Sequence, residues 1–226
     1  MRILIINPNS DAAMTAAIQQ SAEVYAGGEF TVTTEPTPGA PTFIETYQDK
    51  LRAAPGMLQL VAEHETDVDG FVIACHSDPN LDAVKEASTR PVVGIGEASM
   101  KLASMLGHRF SIVTTHRHSI PAKLKQVERY HLHDVLASVV APDEEQAGLR
   151  GYDLFKALSR RAIDEDLAEV IVLGCAGLSG MDRRLQAALG VPVLDGVVCA
   201  LILVTGFVRY GVSTSRALGY DTDYGA

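Results

Sequence analysis

The chain has 226 residues and a net charge of −9, with 19 lysines and arginines against 28 aspartates and glutamates. Hydrophobic residues make up 47% and charged residues 21%, as in an ordinary globular protein of one large or two small domains. So acidic a chain has no general electrostatic attraction for nucleic acid or anionic lipid, and we expect neither as a partner.

Strand-like and helix-like segments alternate along the whole chain, which is typical of parallel sheets flanked by helices. The first half predicts strands over 2–7, 30–36, 69–75 and 91–96, and helices over 10–25, 44–65 and 81–88. Ser10 is the expected N-cap of the first helix. The second half predicts strands over 109–115, 133–141, 169–175 and 192–196. Its helices are predicted between the first two of these strands and over 154–166, 182–189 and 197–211.

The apolar segments are too short or too interrupted to cross a membrane. Asn-Pro-Asn ends the N-terminal run in MRILIINPNS, unlike a signal peptide, and the run over 191–208 contains Asp195 and two glycines. Three cysteines without a regular spacing favour free thiols in a reducing compartment. We therefore expect a cytoplasmic protein that binds no membrane.

The second half of the chain repeats the first. VIAC, a helix and RPVVGIG correspond to VLGC, a helix and VPVLDG. Pro91 follows Cys75 by 16 residues, and Pro192 follows Cys175 by 17. RILIINPNS and RFSIVTTHR are both strands that end in polar residues. We predict an α/β fold of two pseudo-symmetric lobes, each an α/β sandwich around a parallel sheet.

Cys75 and Cys175 lie at the carboxyl ends of equivalent predicted strands. Ligands of open α/β sheets bind at that edge, so two facing lobes would open both thiols onto one cleft. Each of the two also precedes a predicted helix, whose N-terminus would favour the thiolate. Cys199, inside the apolar run VVCALILV, is interpreted as a buried structural residue.

Two thiols on opposite sides of a flat substrate can invert a carbon without a cofactor. One, as thiolate, removes a proton beside a carbonyl, and the other returns a proton to the opposite face. The enolate formed needs hydrogen-bond donors around its oxygen. Candidate donors are the polar residues at strand ends, Asn9, Ser10, Thr114 and Thr115, and Tyr47 is a candidate wall of the cleft.

Taken together, six segments resemble the aspartate/glutamate/hydantoin racemase superfamily, in its hydantoin and allantoin racemase branch. They are MRILIINPNS, GAPTFIETYQDK, ACHSDPNLDAVKE, FSIVTTHRHSIP, GCAGL and PVLDGV, and they span nearly the whole chain. The resemblance implies two lobes of the same fold, no metal, no cofactor and one catalytic cysteine per lobe, matching Cys75 and Cys175. It also implies a homo-oligomer that acts on a small molecule.

The resemblance further implies which residues contact substrate and where the lobes divide. Contacts are expected from the ends of the first strand of each lobe and from the residues after each cysteine: Asn9, Ser10, Thr114, Thr115, His76, Ser77, Ala176 and Gly177. The last helix is expected to return to the first lobe from about residue 206. The first lobe would then comprise 1–97 and 206–226, and the second 98–205. His76 stands where this branch commonly has an aromatic residue, often Phe, which bears on the substrate more than on the reaction.

Several functions remain open at this point. The leading hypothesis is racemisation of a 5-substituted hydantoin or allantoin, because a flat ring with two flanking groups acidifies the C–H bond. The alternatives are racemisation of an acyclic amino acid such as aspartate or glutamate, a hydrolase or isomerase with a cysteine nucleophile and His76 as base, and a binding module without catalysis. The pairs His116/His118 and His131/His133 have metal-ligand spacing, but no acidic residue or cysteine completes either set, so no metal site is predicted.

Overall fold

Strands and helices alternate strictly in the computed structural model, which describes residues 1–146 and 148–222. The first half contains β1 (Arg2–Asn7), α1 (Ala12–Ala26), β2 (Thr31–Pro36), α2 (Tyr47–His64), β3 (Gly70–Ile73), α3 (Leu81–Ala87), β4 (Val92–Gly94) and α4 (Ile95–Leu106). The second half contains β5 (Phe110–Val113), α5 (Ile120–Arg129), β6 (Leu136–Val140), α6 (Gly151–Asp164), β7 (Val170–Leu173), α7 (Asp182–Leu189), β8 (Val193–Leu194) and α8 (Gly196–Tyr210).

The two halves form parallel sheets of identical topology. The strand order is β2-β1-β3-β4 in the first sheet and β6-β5-β7-β8 in the second. All pairings within both sheets are parallel. The predicted two-lobed α/β fold is therefore confirmed.

The central strands are buried on both faces, which explains their unbroken apolar sequences. Residues 3–6 of β1, 71–73 of β3 and 170–173 of β7 are all buried. Helices cover each face of the first sheet, with one apolar cluster around Ile5 and Val72 and another around Phe71 and Met57. None of the helices in the described ranges is long and apolar enough to cross a bilayer.

The fourth helix of each half packs on the sheet of the other half. In α4, Met100 and Ala103 join the core of the second sheet. In α8, Ala200, Leu201 and Val204 join the core of the first sheet. The return to the first lobe thus begins at the start of α8, whereas the sequence led us to expect it from about residue 206.

Close contact between the starts of α4 and α8 explains this early crossing. A Cβ on Gly196 would lie 3.1 Å from the Ile95 Cβ, so the glycine lets the two helix ends meet. The segment after α8 also lies on the first lobe, where Ser213 Oγ donates to the Thr89 carbonyl at 2.7 Å. Residues 223–226, assigned from sequence to the first lobe, lie outside the described residues.

The expected N-cap of α1 is wrong by one residue. Asp11 is the N-cap, and its Oδ1 accepts the Met14 amide proton at 2.6 Å. Ser10 is exposed and contributes its own amide to the Pro41 carbonyl at 3.0 Å. Both residue types cap helices well, so the sequence alone does not choose between neighbours.

Candidate active site

A cavity of about 530 Å³ lies between the lobes, at the carboxyl ends of both sheets. The first lobe lines it with residues from the end of β1, from the loop and start of α2, and from the end of β3. The second lobe lines it with residues from the end of β5, from α5 and from the end of β7. Of the residues expected from sequence, those that line it are Asn9, Tyr47, Cys75, His76, Ser77, Thr114, Thr115, Cys175 and Ala176. Ser10 and Gly177 are not among the lining residues.

Cys75 follows β3 by two residues and begins a tight turn. Its sulfur lies 3.3 Å from the Ser77 hydroxyl, and its carbonyl accepts the Asp78 amide proton at 2.9 Å. Asp78 and Asn80 have positive φ values of 43° and 57°, so the turn uses two left-handed residues before α3 begins at Leu81. Cys75 is therefore separated from the α3 N-terminus by five residues.

Cys175 occupies the matching position after β7. It is the N-cap of a single three-residue 3-10 turn over 176–178 and makes no side-chain hydrogen bond to that turn, although the Gly177 backbone acts to lower the pKa of its thiol. Burial nevertheless raises the pKa of the Cys175 thiol, and the nearby Cys75 adds to this. The expected α-helix N-terminus behind each cysteine is thus absent at both positions, because each chain segment turns before it becomes helical.

Lys123 is a buried residue of the cavity wall that the sequence did not lead us to expect. It lies on α5, is only 5% exposed and lines the cavity. Its ammonium donates to His76 Nδ1 at 2.7 Å and to the Gly174 carbonyl at 3.0 Å. Lys123, Gln126 and Val127 share the buried face of α5, at spacings of three and four residues. The position of a lysine at that spacing, on the apolar side of a helix, is the sequence signal that could have indicated its burial.

His76 lines the cavity, but its ring is 1% exposed and both ring nitrogens are engaged by protein groups. Nδ1 faces the Lys123 ammonium, and Nε2 lies 3.3 Å from the Ser99 hydroxyl. Ser99 donates its own proton to the Ile95 carbonyl at 2.7 Å. Burial, together with the charge on Lys123, holds the pKa of His76 well below its usual value, so the imidazole is neutral.

Asp78 joins the Cys75 turn to the second lobe. Its carboxylate accepts hydrogen bonds from the backbone amides of Gly96 and Glu97, at 3.0 and 2.7 Å. It also accepts hydrogen bonds from the side chains of Gln126 and Tyr130 in the α5 region, at 3.0 and 2.7 Å. A Cβ on Gly96 would lie 2.3 Å from the His76 carbonyl oxygen, so glycine is required for this approach. The start of α4 is thus fixed against the turn that carries Cys75.

Hydroxyl and amide groups line the cavity together with the two thiols. Thr114 and Ser119 share a hydrogen bond of 3.0 Å, and the Thr115 hydroxyl lies 3.0 Å from His116 Nδ1. The Asn9 amide nitrogen contacts the Met14 sulfur at 3.2 Å. Tyr47, at the start of α2, is 67% exposed and forms the outer wall.

The mouth of the cavity is crossed by contacts between the lobes. Glu45, in the loop before α2, lies 2.8 Å from His118 Nε2 and 3.5 Å from His116 Nδ1. His133 lies near Asp134 at 3.5 Å, away from this pair. In the described part of the chain no three His, Cys, Asp or Glu side chains gather as metal ligands would.

The duplicated fold and its paired thiols define a two-lobed α/β enzyme with a candidate site between the lobes. The model of the family described as Asp/Glu/Hydantoin racemase matches residues 3–204, and the chain belongs to that family. A hydantoin racemase from Paenarthrobacter aurescens is 39% identical to it, over 98% of this chain and 97% of that protein.

Two solved structures share both fold and sequence with the chain. An allantoin racemase from Klebsiella pneumoniae is 34% identical, with a TM-score of 0.89 over 96% of this chain and 91% of that one. An allantoin racemase from Pseudomonas fluorescens is 29% identical, with a TM-score of 0.91 over 100% of this chain and 98% of that one. The family resemblance read from the sequence is confirmed, and the chain is a racemase, an isomerase by class.

Proposed function

We propose that the chain racemises a 5-substituted hydantoin or allantoin, without a cofactor, by a two-base mechanism of Cys75 and Cys175. The observation that carries the proposal is that both thiols line one cavity, each from the matching strand end of its own lobe. The relatives named as hydantoin and allantoin racemases support the choice of a cyclic substrate.

In this mechanism the flat ring lies between the two sulfurs. The thiolate of one cysteine takes the proton from the ring carbon next to the carbonyl, and the C–H electron pair moves into an enolate. The opposite thiol then donates its proton to the other face, and its sulfur is left as the thiolate. The product is the mirror image of the substrate, and the roles of Cys75 and Cys175 are exchanged for the reverse reaction.

The polar groups of the cavity are suited to hold the ring and its developing negative charge. Asn9 and Ser77 of the first lobe and Thr114 and Thr115 of the second line the same cavity and carry amide and hydroxyl groups. Met14, Phe43 and Ile44 supply apolar walls on the first-lobe side. A cavity with a few polar groups and apolar walls is typical of sites for small molecules.

Racemisation of an acyclic amino acid is the second candidate, favoured by one observation. From the strand ends alone few basic residues were expected, but helices add Lys50, Lys123, Lys125 and Arg129 to the cavity wall. Such charges suit carboxylates, although Arg129 is already paired with Asp82 and Lys50 lies 5.4 Å over the Tyr47 ring. The route through a cysteine nucleophile and a His76 base has less support, because Lys123 and Ser99 engage the His76 ring nitrogens.

Polarimetry with a matched substrate panel tests the proposal. Single enantiomers of 5-benzylhydantoin, allantoin, aspartate and glutamate are incubated in deuterated water, with a Cys75→Ser/Cys175→Ser variant and buffer alone as controls. We expect the cyclic compounds to lose optical rotation and gain one deuterium without any other change in mass. Racemisation confined to the amino acids would favour the second candidate, and a product heavier by one water would mean hydrolysis.

The homo-oligomer expected from the resemblance stays a prediction. Ile202 and Phe207 of α8 are partly exposed and Tyr210 is largely so, which gives that helix an apolar outer face. Light scattering coupled to size-exclusion chromatography measures the mass directly, and a monomer at all concentrations would contradict the expectation.

A further inference from the structure

Lys123 is a buried cation that the two-base mechanism does not by itself require. In the described ranges it is the only buried lysine or arginine. Placing a charge in a protein interior is unfavourable unless the charge is paired or put to use. Its two hydrogen-bond acceptors, His76 Nδ1 and the Gly174 carbonyl, are both neutral, so neither balances its charge.

Lys123 forms hydrogen bonds to the residues next to both cysteines. Gly174 directly precedes Cys175, and His76 directly follows Cys75, so one ammonium touches the chain beside each cysteine. A negative charge on either Cys75 or Cys175 would raise the pKa of Lys123 and so favour its charged form. An ammonium has three N–H groups, and with two of them used one remains for the cavity.

The cysteines need a positive charge that their own surroundings do not supply. Neither lies at the N-terminus of an α-helix. Cys175 is only partly exposed, and its burial raises the pKa of its thiol; a thiolate on one cysteine also disfavours a second. A cation near both, rather than one beside each, favours a single negative charge shared between the two positions.

We propose that Lys123 is a catalytic residue: its ammonium stabilises the thiolate of whichever cysteine is the base, and then the enolate formed between the two sulfurs. The enolate part of this rests on the proposed racemisation, whereas the thiolate part does not need a substrate. A fixed cation suits any substrate whose carbonyl oxygen becomes negative in the transition state, so this part of the proposal concerns the reaction and leaves the choice of substrate to the substrate panel.

His76 acts through Lys123 and is therefore a positioning residue. A lysine ammonium cannot accept a proton, so Nδ1 must be the acceptor and Nε2 must carry the proton toward Ser99. Ser99 is itself fixed because it donates to the Ile95 carbonyl. These hydrogen bonds orient the imidazole of His76, and the imidazole orients the ammonium of Lys123. This gives a reason for a histidine at position 76.

The charge on Lys123 has a limited pH range. Burial lowers the pKa of Lys123 to about 8, and Lys50 of α2 acts in the same direction. Cys75, Cys175 and Asp78 are the groups that oppose this and favour the charged form. Lys123 is thus charged at neutral pH and loses its charge above about pH 8, so its help to the thiolate fades as the solution becomes basic.

The test measures thiolate formation without substrate. Alkylation by iodoacetamide is followed at each cysteine by peptide mass spectrometry, between about pH 6 and 10, where the rate follows the thiolate fraction. The proteins are the unaltered enzyme, Lys123→Gln, Lys123→Met and the control Lys156→Gln, which removes an exposed lysine of α6. Cys199 reports folding, because it is 2% exposed and burial raises the pKa of its thiol to about 12.

We expect Lys123→Gln to slow alkylation of Cys75 and Cys175 about tenfold or more at neutral pH, with the rate recovered only at higher pH. A loosened fold would act in the opposite direction, since both cysteines and Cys199 would react faster. Racemisation in both directions should fall about 10²–10³-fold, the usual cost of losing a group that stabilises an oxyanion. Lys156→Gln should match the unaltered enzyme.

Unchanged alkylation profiles in Lys123→Gln would overturn the proposal even if the enzyme racemises hydantoins. If Lys123→Gln exposes Cys199, the result from Lys123→Met decides, because its straight apolar side chain fits a buried position. Exposure of Cys199 in both variants would make Lys123 a structural residue and would also overturn the proposal. Slower alkylation in an enzyme that racemises nothing on the substrate panel would uphold the thiolate role and reject the proposed function instead.

Discussion

Asp78 makes the stability of the folded protein depend on pH, and the size of the effect follows from the burial of its carboxyl group. The carboxyl group is 3% exposed, and burial raises its pKa to about 6 from an ordinary value of 3.8, despite the donors around it. A difference of about 2 pKa units corresponds to about 3 kcal/mol. Because the folded pKa is the higher one, the folded state favours the protonated form. This contribution to stability is complete below pH 4 and is lost as the pH rises through about 6.

Urea unfolding of the unaltered protein and of Asp78→Asn isolates this contribution. Between pH 4.5 and 7 the unaltered protein should lose about 2 kcal/mol of unfolding free energy relative to the variant. Any constant penalty from the altered hydrogen bonds cancels when the two pH values are compared, and so does the titration of other buried groups such as His76. Parallel pH profiles for the two proteins would refute the reasoning, because Asp78 would then titrate alike in the folded and unfolded chain.

Further variants test the site and its surroundings. Cys75→Ser and Cys175→Ser should each lower racemisation about 10²–10⁴-fold, because a serine hydroxyl is a far weaker acid than a thiol. Proton exchange followed by NMR should survive in each for one enantiomer only, and for opposite enantiomers in the two; retained racemisation in either would contradict the paired-thiol mechanism. Cys199→Ser should keep its rate and lose only stability, measured by urea unfolding. His76→Phe should lower kcat, because it removes an acceptor of the hydrogen bonds of the buried ammonium. His76→Gln keeps an acceptor and should lower kcat less. The same kcat in both variants would contradict this. Glu45→Gln should raise KM, because it weakens the contacts across the cavity mouth. It should change the free energy of unfolding by less than about 1 kcal/mol, since exposed charged pairs contribute little. An unchanged KM would mean that Glu45 does not affect substrate binding.

The fold was predictable because its signals are local and repeated. Runs such as Ile3–Ile6 are buried on both faces of a parallel sheet and so lack the alternation of a one-sided strand. The repeat of Cys75 in Cys175 identified equivalent strands without any knowledge of their neighbours. The return to the first lobe was expected only from about residue 206, whereas α8 packs on the first sheet from Val197 onward, because an apolar helix face does not state which sheet it covers.

The candidate site was predictable only where residues follow strands. Lys123 escaped because its contacts are distant: His76 lies 47 residues before it and Gly174 lies 51 residues after it. Nothing near it in the sequence marks a buried charge apart from its spacing on the helix. The same distance explains why His76 was expected only as a substrate contact or a base, whereas the structure adds that its ring is held by Lys123 and Ser99.

The two sides of the cavity are unequal, since His76 follows Cys75 whereas Ala176 follows Cys175. Mirror-image substrates have the same free energy in water, and both directions pass through the same transition states. The value of kcat/KM must then be identical for the two enantiomers, however unequal the two thiols are. Any difference in how well the two sides transfer protons has to emerge as a difference in kcat matched by an equal factor in KM. The enantiomer with the higher KM will therefore be the one with the higher kcat.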